Sequence, residues 1–200
     1  MCEPNIMKFE PAPLDSYAQR ITMGVAYLGG LLTLPLFFAY LSNTRWAGLL
    51  IPIALAVPIA LFLLLTYAAQ PTAYIIEEDQ LVVQRRWLRA LKVPFSKIMG
   101  VSPGSALADV PRVGLRFAFN PGVFGYQGPF HLAPYGEAFF LATNRERLVA
   151  IARQAAVPLI VSPIRPRAFI EKLEEQRGQS ALKAMAQREE AAEQRLQSGE

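Results

Sequence analysis

The chain has 200 residues, 52% of them hydrophobic, with 20 Lys or Arg against 16 Asp or Glu and a net charge of +4. Its single cysteine, Cys2, excludes a disulfide framework. Its single histidine, His131, has no Cys or nearby carboxylate companions, which argues against a metal site.

After an N-terminal segment, residues 1–20, two long apolar stretches follow. Neither Arg20 to Arg45 nor Arg45 to Glu77 contains an acidic or basic side chain, and Leu, Ile, Ala, Val and Phe dominate both. A helix needs about 20 apolar residues to cross a bilayer core. Ile21 to Tyr40 and Ala47 to Tyr67 supply that length, which predicts a transmembrane helical hairpin over residues 21–68. The first stretch is too long for a signal-peptide core and lacks a convincing cleavage site, so it is expected to stay in the mature protein. Lys8 and Arg20 before the spans, against Arg45 alone in the connection, favour both termini inside.

The spans offer hydroxyls but no ionisable groups of the kind transport requires. Ala26 with Gly30, and Ala56 with Ala60, stand four residues apart, the spacing that lets helices approach closely. They serve packing of the two helices on each other, docking on other integral membrane subunits, or self-association.

From Gln70 onward short strand-like runs replace the continuous apolar pattern. The expected strands are Thr72 to Glu77, Leu81 to Trp87, Ala90 to Val93, Ile98 to Pro103, Gly114 to Phe119, Glu137 to Ala142, Arg147 to Ile151 and Pro158 to Val161. Such a series implies a small barrel or sandwich. Ser162 to Pro166 signals a helix start, and Phe169, Ile170 and Leu173 share one face of the helix that would close the domain. Gly178-Gln179-Ser180 would separate it from a charged helical tail, residues 178–200, with an interrupted stripe at Leu182, Met185, Ala192 and Leu196.

The order of two apolar spans, the pair Tyr74-Ile75-Ile76 and Leu81-Val82-Val83, then Val93-Pro94-Phe95-Ser96-Lys97-Ile98, Gly125 to Phe130, Ala142 to Arg145 and Ser162 to Ile170 resembles membrane-anchored bacterial pleckstrin-homology-like (PH-like) domain proteins. The resemblance implies a seven-stranded split barrel over residues 71–177, capped by a C-terminal helix. Together with the two spans and the charge bias around them, it leads to the expectation of a multi-pass protein of the bacterial inner membrane with both termini cytoplasmic. Fold does not fix function, so phosphoinositide binding is not inherited with it.

Two candidate sites stand out. Arg85, Arg86, Arg89 and Lys92 could contact anionic lipid, although alternate residues of a strand point to opposite faces. Phe124, Tyr126, Phe130 and Tyr135 lie in a Gly- and Pro-rich stretch and either form a partner loop or fill the core. Between Gln80 and Ile170 twelve basic residues face three acidic ones. Beside a membrane, that charge suits lipid headgroups better than nucleic acid. No catalytic constellation or cofactor motif is present. The expected role is a non-catalytic accessory or scaffolding subunit of a larger membrane protein complex. The rival is a stand-alone membrane-anchored module binding anionic lipid headgroups or a peptide.

Overall fold

The computed structural model describes residues 6–41, 50–104, 118–132 and 136–198. Two helices come early, α1 (Ser16–Leu41) and α2 (Leu50–Ala69), and one late, α3 (Pro166–Ser198). Between and before them lie ten strands among the described residues, in one sheet of four and one of six.

The four-stranded sheet runs in order β1 (Met7–Phe9), β2 (Pro71–Ile76), β3 (Gln80–Arg85), β4 (Leu91–Pro94). Its β-branched and aliphatic runs pair antiparallel, with Tyr74 opposite Val83 and Ile76 opposite Leu81. The six-stranded sheet comprises β5 (Ile98–Pro103), β9 (Val149–Arg153), β10 (Ala156–Val161), β8 (Gly136–Ala142), β7 (Gly125–Leu132) and β6 (Ala118–Gly122), in that spatial order. The β8 and β10 pair is parallel, and the other pairings are antiparallel.

The main core joins both sheets through Tyr74, Leu81, Val83, Leu141, Ile151 and Leu159. Phe169 and Leu173 of α3 enter this core, and Phe169 meets Phe9 edge-on at 5.3 Å. The helix therefore closes the open end of the sheets by removing two large apolar side chains from water. A second cluster includes Tyr126, Phe130, Phe140 and Ile160, and Ala18 of α1 is buried in it.

Among the described residues, no helix is long and apolar enough to cross a membrane. That overturns the expected transmembrane hairpin and the multi-pass inner-membrane location built on it. Residues 42–49 and the side chains at 36, 39 and 52 lie outside the described set, so the statement concerns the remainder of both helices. Part of each helix instead belongs to the β domain. The first turns of α1 hold the polar Ser16, Gln19 and Arg20 and bury Ala18, while Thr66 and Ala68 are buried at the end of α2.

Three further expectations change. The strands divide four and six rather than forming a seven-stranded barrel. The Gly125 to Phe130 turn is the greater part of strand β7, paired with β8 from Tyr126 to Leu132. The tail is no separate unit, because α3 continues through Gly178 to Ser198. One glycine costs about 1 kcal/mol in a helix, too little to break a run flanked by Ala, Glu, Gln and Arg. The expected strand Gly114 to Phe119 lies largely outside the described residues.

Candidate functional site

The end of α2, the β3–β4 turn and the β6–β7 turn meet around Tyr67. Its ring lies 5.3 Å from that of Trp87 and 5.2 Å from that of Phe124. The Arg86 guanidinium stacks 4.3 Å from the ring centroid and donates through Nη1 to the Tyr67 hydroxyl at 2.9 Å. Arg86 also donates to Gln70 Oε1 at 3.2 Å. Backbone bonds from Trp87 N and Leu88 N to Ala68 O, at 3.0 and 3.3 Å, hold the turn against the helix end.

Two of the four basic residues consequently direct side-chain donors to acceptors within the chain. Arg85 donates through Nε to the Arg89 carbonyl at 2.8 Å, with a second bond from Nη2 to the same oxygen. Partial burial draws the pKa of Arg85 below the ordinary arginine value. Arg86 is committed to Tyr67 and Gln70, while Arg89 and Lys92 are exposed. The turn also presents apolar surface: Trp87 is 64% exposed and Leu88 is 40% exposed. Alternation along a strand signalled the split of Arg85 from Arg86, but nothing local signalled their internal acceptors.

The aromatic candidates separate similarly. Tyr126 and Phe130 are buried, and the Phe130 ring lies 4.6 Å from that of Phe140, so neither is available as a contact surface. Phe124 is half-buried against Tyr67, with a positive φ of 54°. Tyr135 lies outside the described residues. The turn that carries Phe124 is fixed to α1 by Thr22, whose Oγ1 accepts from Phe124 N at 2.8 Å and donates to Ala18 O at 2.7 Å. Asn120 supports the same turn by accepting from Val123 N at 2.8 Å.

Of the small helix residues, Ala56 is buried, whereas Ala26, Gly30 and Ala60 are exposed. The close approach of α1 to α2 runs through Gly29, where a Cβ would lie 3.5 Å from Ile59 Cγ2 and 3.7 Å from Leu63 Cδ1. A Cβ at Gly30 would meet nothing within 4 Å. Ala26, Gly30 and Ala60 therefore face outward, away from the seam within the pair.

A polar clasp that local sequence did not reveal ties α1 to the six-stranded sheet. Asp15 is buried and caps α1 by accepting from Ala18 N at 2.8 Å. It also accepts from the Tyr126 hydroxyl at 3.1 Å, from Arg145 N at 3.0 Å and from Arg145 Nε at 3.2 Å. Arg145 is sandwiched near two rings, with Cζ 4.7 Å from the Tyr17 centroid and 5.8 Å from that of Tyr126. Burial, and then the neighbouring Asp15 carboxylate, raise the Tyr126 pKa well above the ordinary tyrosine value. The clasp keeps Asp15 as an acceptor with its partners supplied, so its evident work is to hold elements together.

Among the described residues no group of three or more His, Cys, Asp or Glu side chains could hold a metal ion. His131 is exposed on β7.

Two sheets around a shared core, with a C-terminal helix closing one end, define a domain of the PH type, a binding-module fold. The bacterial PH domain family matches residues 72–177, and the chain belongs to that family. The match runs from β2 into α3 and does not include α1, α2 or β1. No curated protein and no solved structure matches the chain.

Proposed function

We propose that this protein is a non-catalytic accessory subunit that docks on a larger membrane protein assembly through the outer face of α1 and α2, with its PH domain as the scaffold beyond. The observation that carries this reading is the apolar surface of the two helices. Leu31, Phe37, Phe38, Leu50, Ile51, Leu55 and Leu61 are all exposed. Covering one such side chain fully contributes about 1.5–3 kcal/mol, and large apolar side chains exposed in this number point to an interaction surface. Exposed Ala26, Gly30 and Ala60 on the same pair would let partner helices approach closely. Mild-detergent purification of the tagged chain from its native cells, followed by native mass measurement, tests the proposal: a defined assembly with stoichiometric companions is expected.

The second reading is a stand-alone binding module for anionic lipid headgroups or a peptide. The lipid arm draws support from the exposed Trp87 and Leu88 beside exposed Arg89 and Lys92. Aromatic residues with basic neighbours suit a membrane surface. Arg89→Glu with Lys92→Glu should then abolish flotation with vesicles containing anionic lipid, and unchanged flotation removes that reading.

A further inference from the structure

An open groove of about 740 Å³ lies where the end of β5 approaches the start of α3. Pro103, buried Leu148 and half-buried Ile170 give it apolar walls. Arg147, Arg165 and Arg167 line it as well, with Glu146 as the sole carboxylate among the described lining residues. Three guanidinium groups against one carboxylate leave a local surplus of positive charge.

The cations are differently committed. Arg147 Nη1 donates to Ile164 O at 2.7 Å, which seats this side chain across the entry to α3. The ion pairs among the described residues are Arg145 with Asp15 and Lys172 with Glu175, and neither involves Arg165 or Arg167. Both of these arginines are exposed, and among the described residues their side chains make no hydrogen bond.

We propose that this groove binds an acidic peptide segment of a partner protein, with arginines receiving carboxylates while the apolar walls receive an aliphatic or aromatic side chain. The groove falls in the range of about 300–1,000 Å³ that holds sizeable ligands, more than a lone phosphate fills. Guanidinium groups pair with carboxylates through forked, charge-assisted hydrogen bonds. The combination of cationic and apolar lining distinguishes this occupant from a free inorganic anion, which has no use for Leu148 or Ile170. The proposal deepens the peptide arm of the second reading and rests on the PH domain being a binding module. It does not require docking through α1 and α2.

The 200-residue chain in mild detergent is panned against a random peptide display library, and affinities of selected peptides are read by fluorescence anisotropy. Enrichment of peptides with Asp or Glu flanking an apolar residue is expected. Arg165→Glu with Arg167→Glu should weaken their binding by about tenfold or more, while Arg188→Glu, far along α3, leaves it unchanged. Circular dichroism of each variant checks that the fold persists. No acidic enrichment, or equal affinity in the double variant, overturns the proposal. Arginine-dependent binding of inorganic phosphate without peptide selection also overturns it, by assigning the groove to small anions. Loss of this peptide binding alone leaves the accessory-subunit reading standing, because the companions of that reading are held by other residues.

Discussion

Asp15 and Arg145 form a largely buried ion pair at 3.2 Å between residues 130 apart in the chain. The pair joins the start of α1 to the turn after β8, so the orientation of the helix pair is coupled to the six-stranded sheet. Removing one member of a buried pair costs about 3–5 kcal/mol, because the other is left without compensation. Asp15→Ala should therefore lower unfolding stability by about that amount in urea titrations. Asp15→Asn, which retains an acceptor oxygen for Ala18 N, should lose less.

Stability should also fall at alkaline pH. Tyr74 is fully buried, donates to Leu141 O at 2.9 Å and accepts from Ser162 N at 3.2 Å. Burial pushes its pKa from 10.0 up to about 12. A tyrosine whose folded pKa exceeds its unfolded value contributes fully below pH 10, and the contribution is lost as pH rises through 12. At about 1.4 kcal/mol per unit, the loss is on the order of 3 kcal/mol for this side chain, and Tyr126 adds in the same direction. Denaturant titrations from about pH 9 to about pH 12 should show the decline, and Tyr74→Phe should reduce its slope by one proton.

Neighbouring glycines of α1 separate internal packing from outward docking. Gly29→Leu places bulk against Ile59 and Leu63 and should destabilise the helix pair itself, at about 1–3 kcal/mol for overpacking. The Cβ of Gly30→Leu meets nothing within 4 Å, and removing a helical glycine is worth about 1 kcal/mol, so thermal stability should hold or rise slightly while recovery of a docked partner falls. Paired melting and co-purification measurements check both outcomes.

Much of the β domain was legible because its strands carry plain signals. Leu81, Val82 and Val83 are a compact apolar run bounded by Glu78-Asp79-Gln80, and β5 spans Ile98–Pro103 as expected. Strand β7 was hidden because Gly125, Gly128 and Pro129 read as turn residues. Its identity comes from the partner β8, and the positive φ of 111° at Gly125 places this glycine where a Cβ would lie 2.7 Å from Ala142 O. Strand β1 has three residues and exists through pairing with β2, far along the chain.

The site was less legible for the same physical reason. The Arg85-Arg86-Trp87-Leu88-Arg89 run advertises charge, yet Arg85 and Arg86 spend their donors on Arg89 O, Tyr67 and Gln70. Exposed Trp87 and Leu88 therefore stand beside exposed Arg89 on a turn whose sequence reads as basic. Apolar content likewise marked α1 and α2 correctly as helices, but it could not show that Ala18, Thr66 and Ala68 are buried. Such contacts depend on elements distant in sequence, which periodicity does not encode.

Docking of the outer face of α1 and α2 on a partner assembly has one decisive readout. It is native mass measurement of the tagged protein and its Gly30→Leu variant, each isolated from native cells in mild detergent. A defined complex with stoichiometric companions is expected for the first and loss of those companions for the second. A monomer or homo-oligomer without companions, or a complex indifferent to Gly30→Leu, would contradict it.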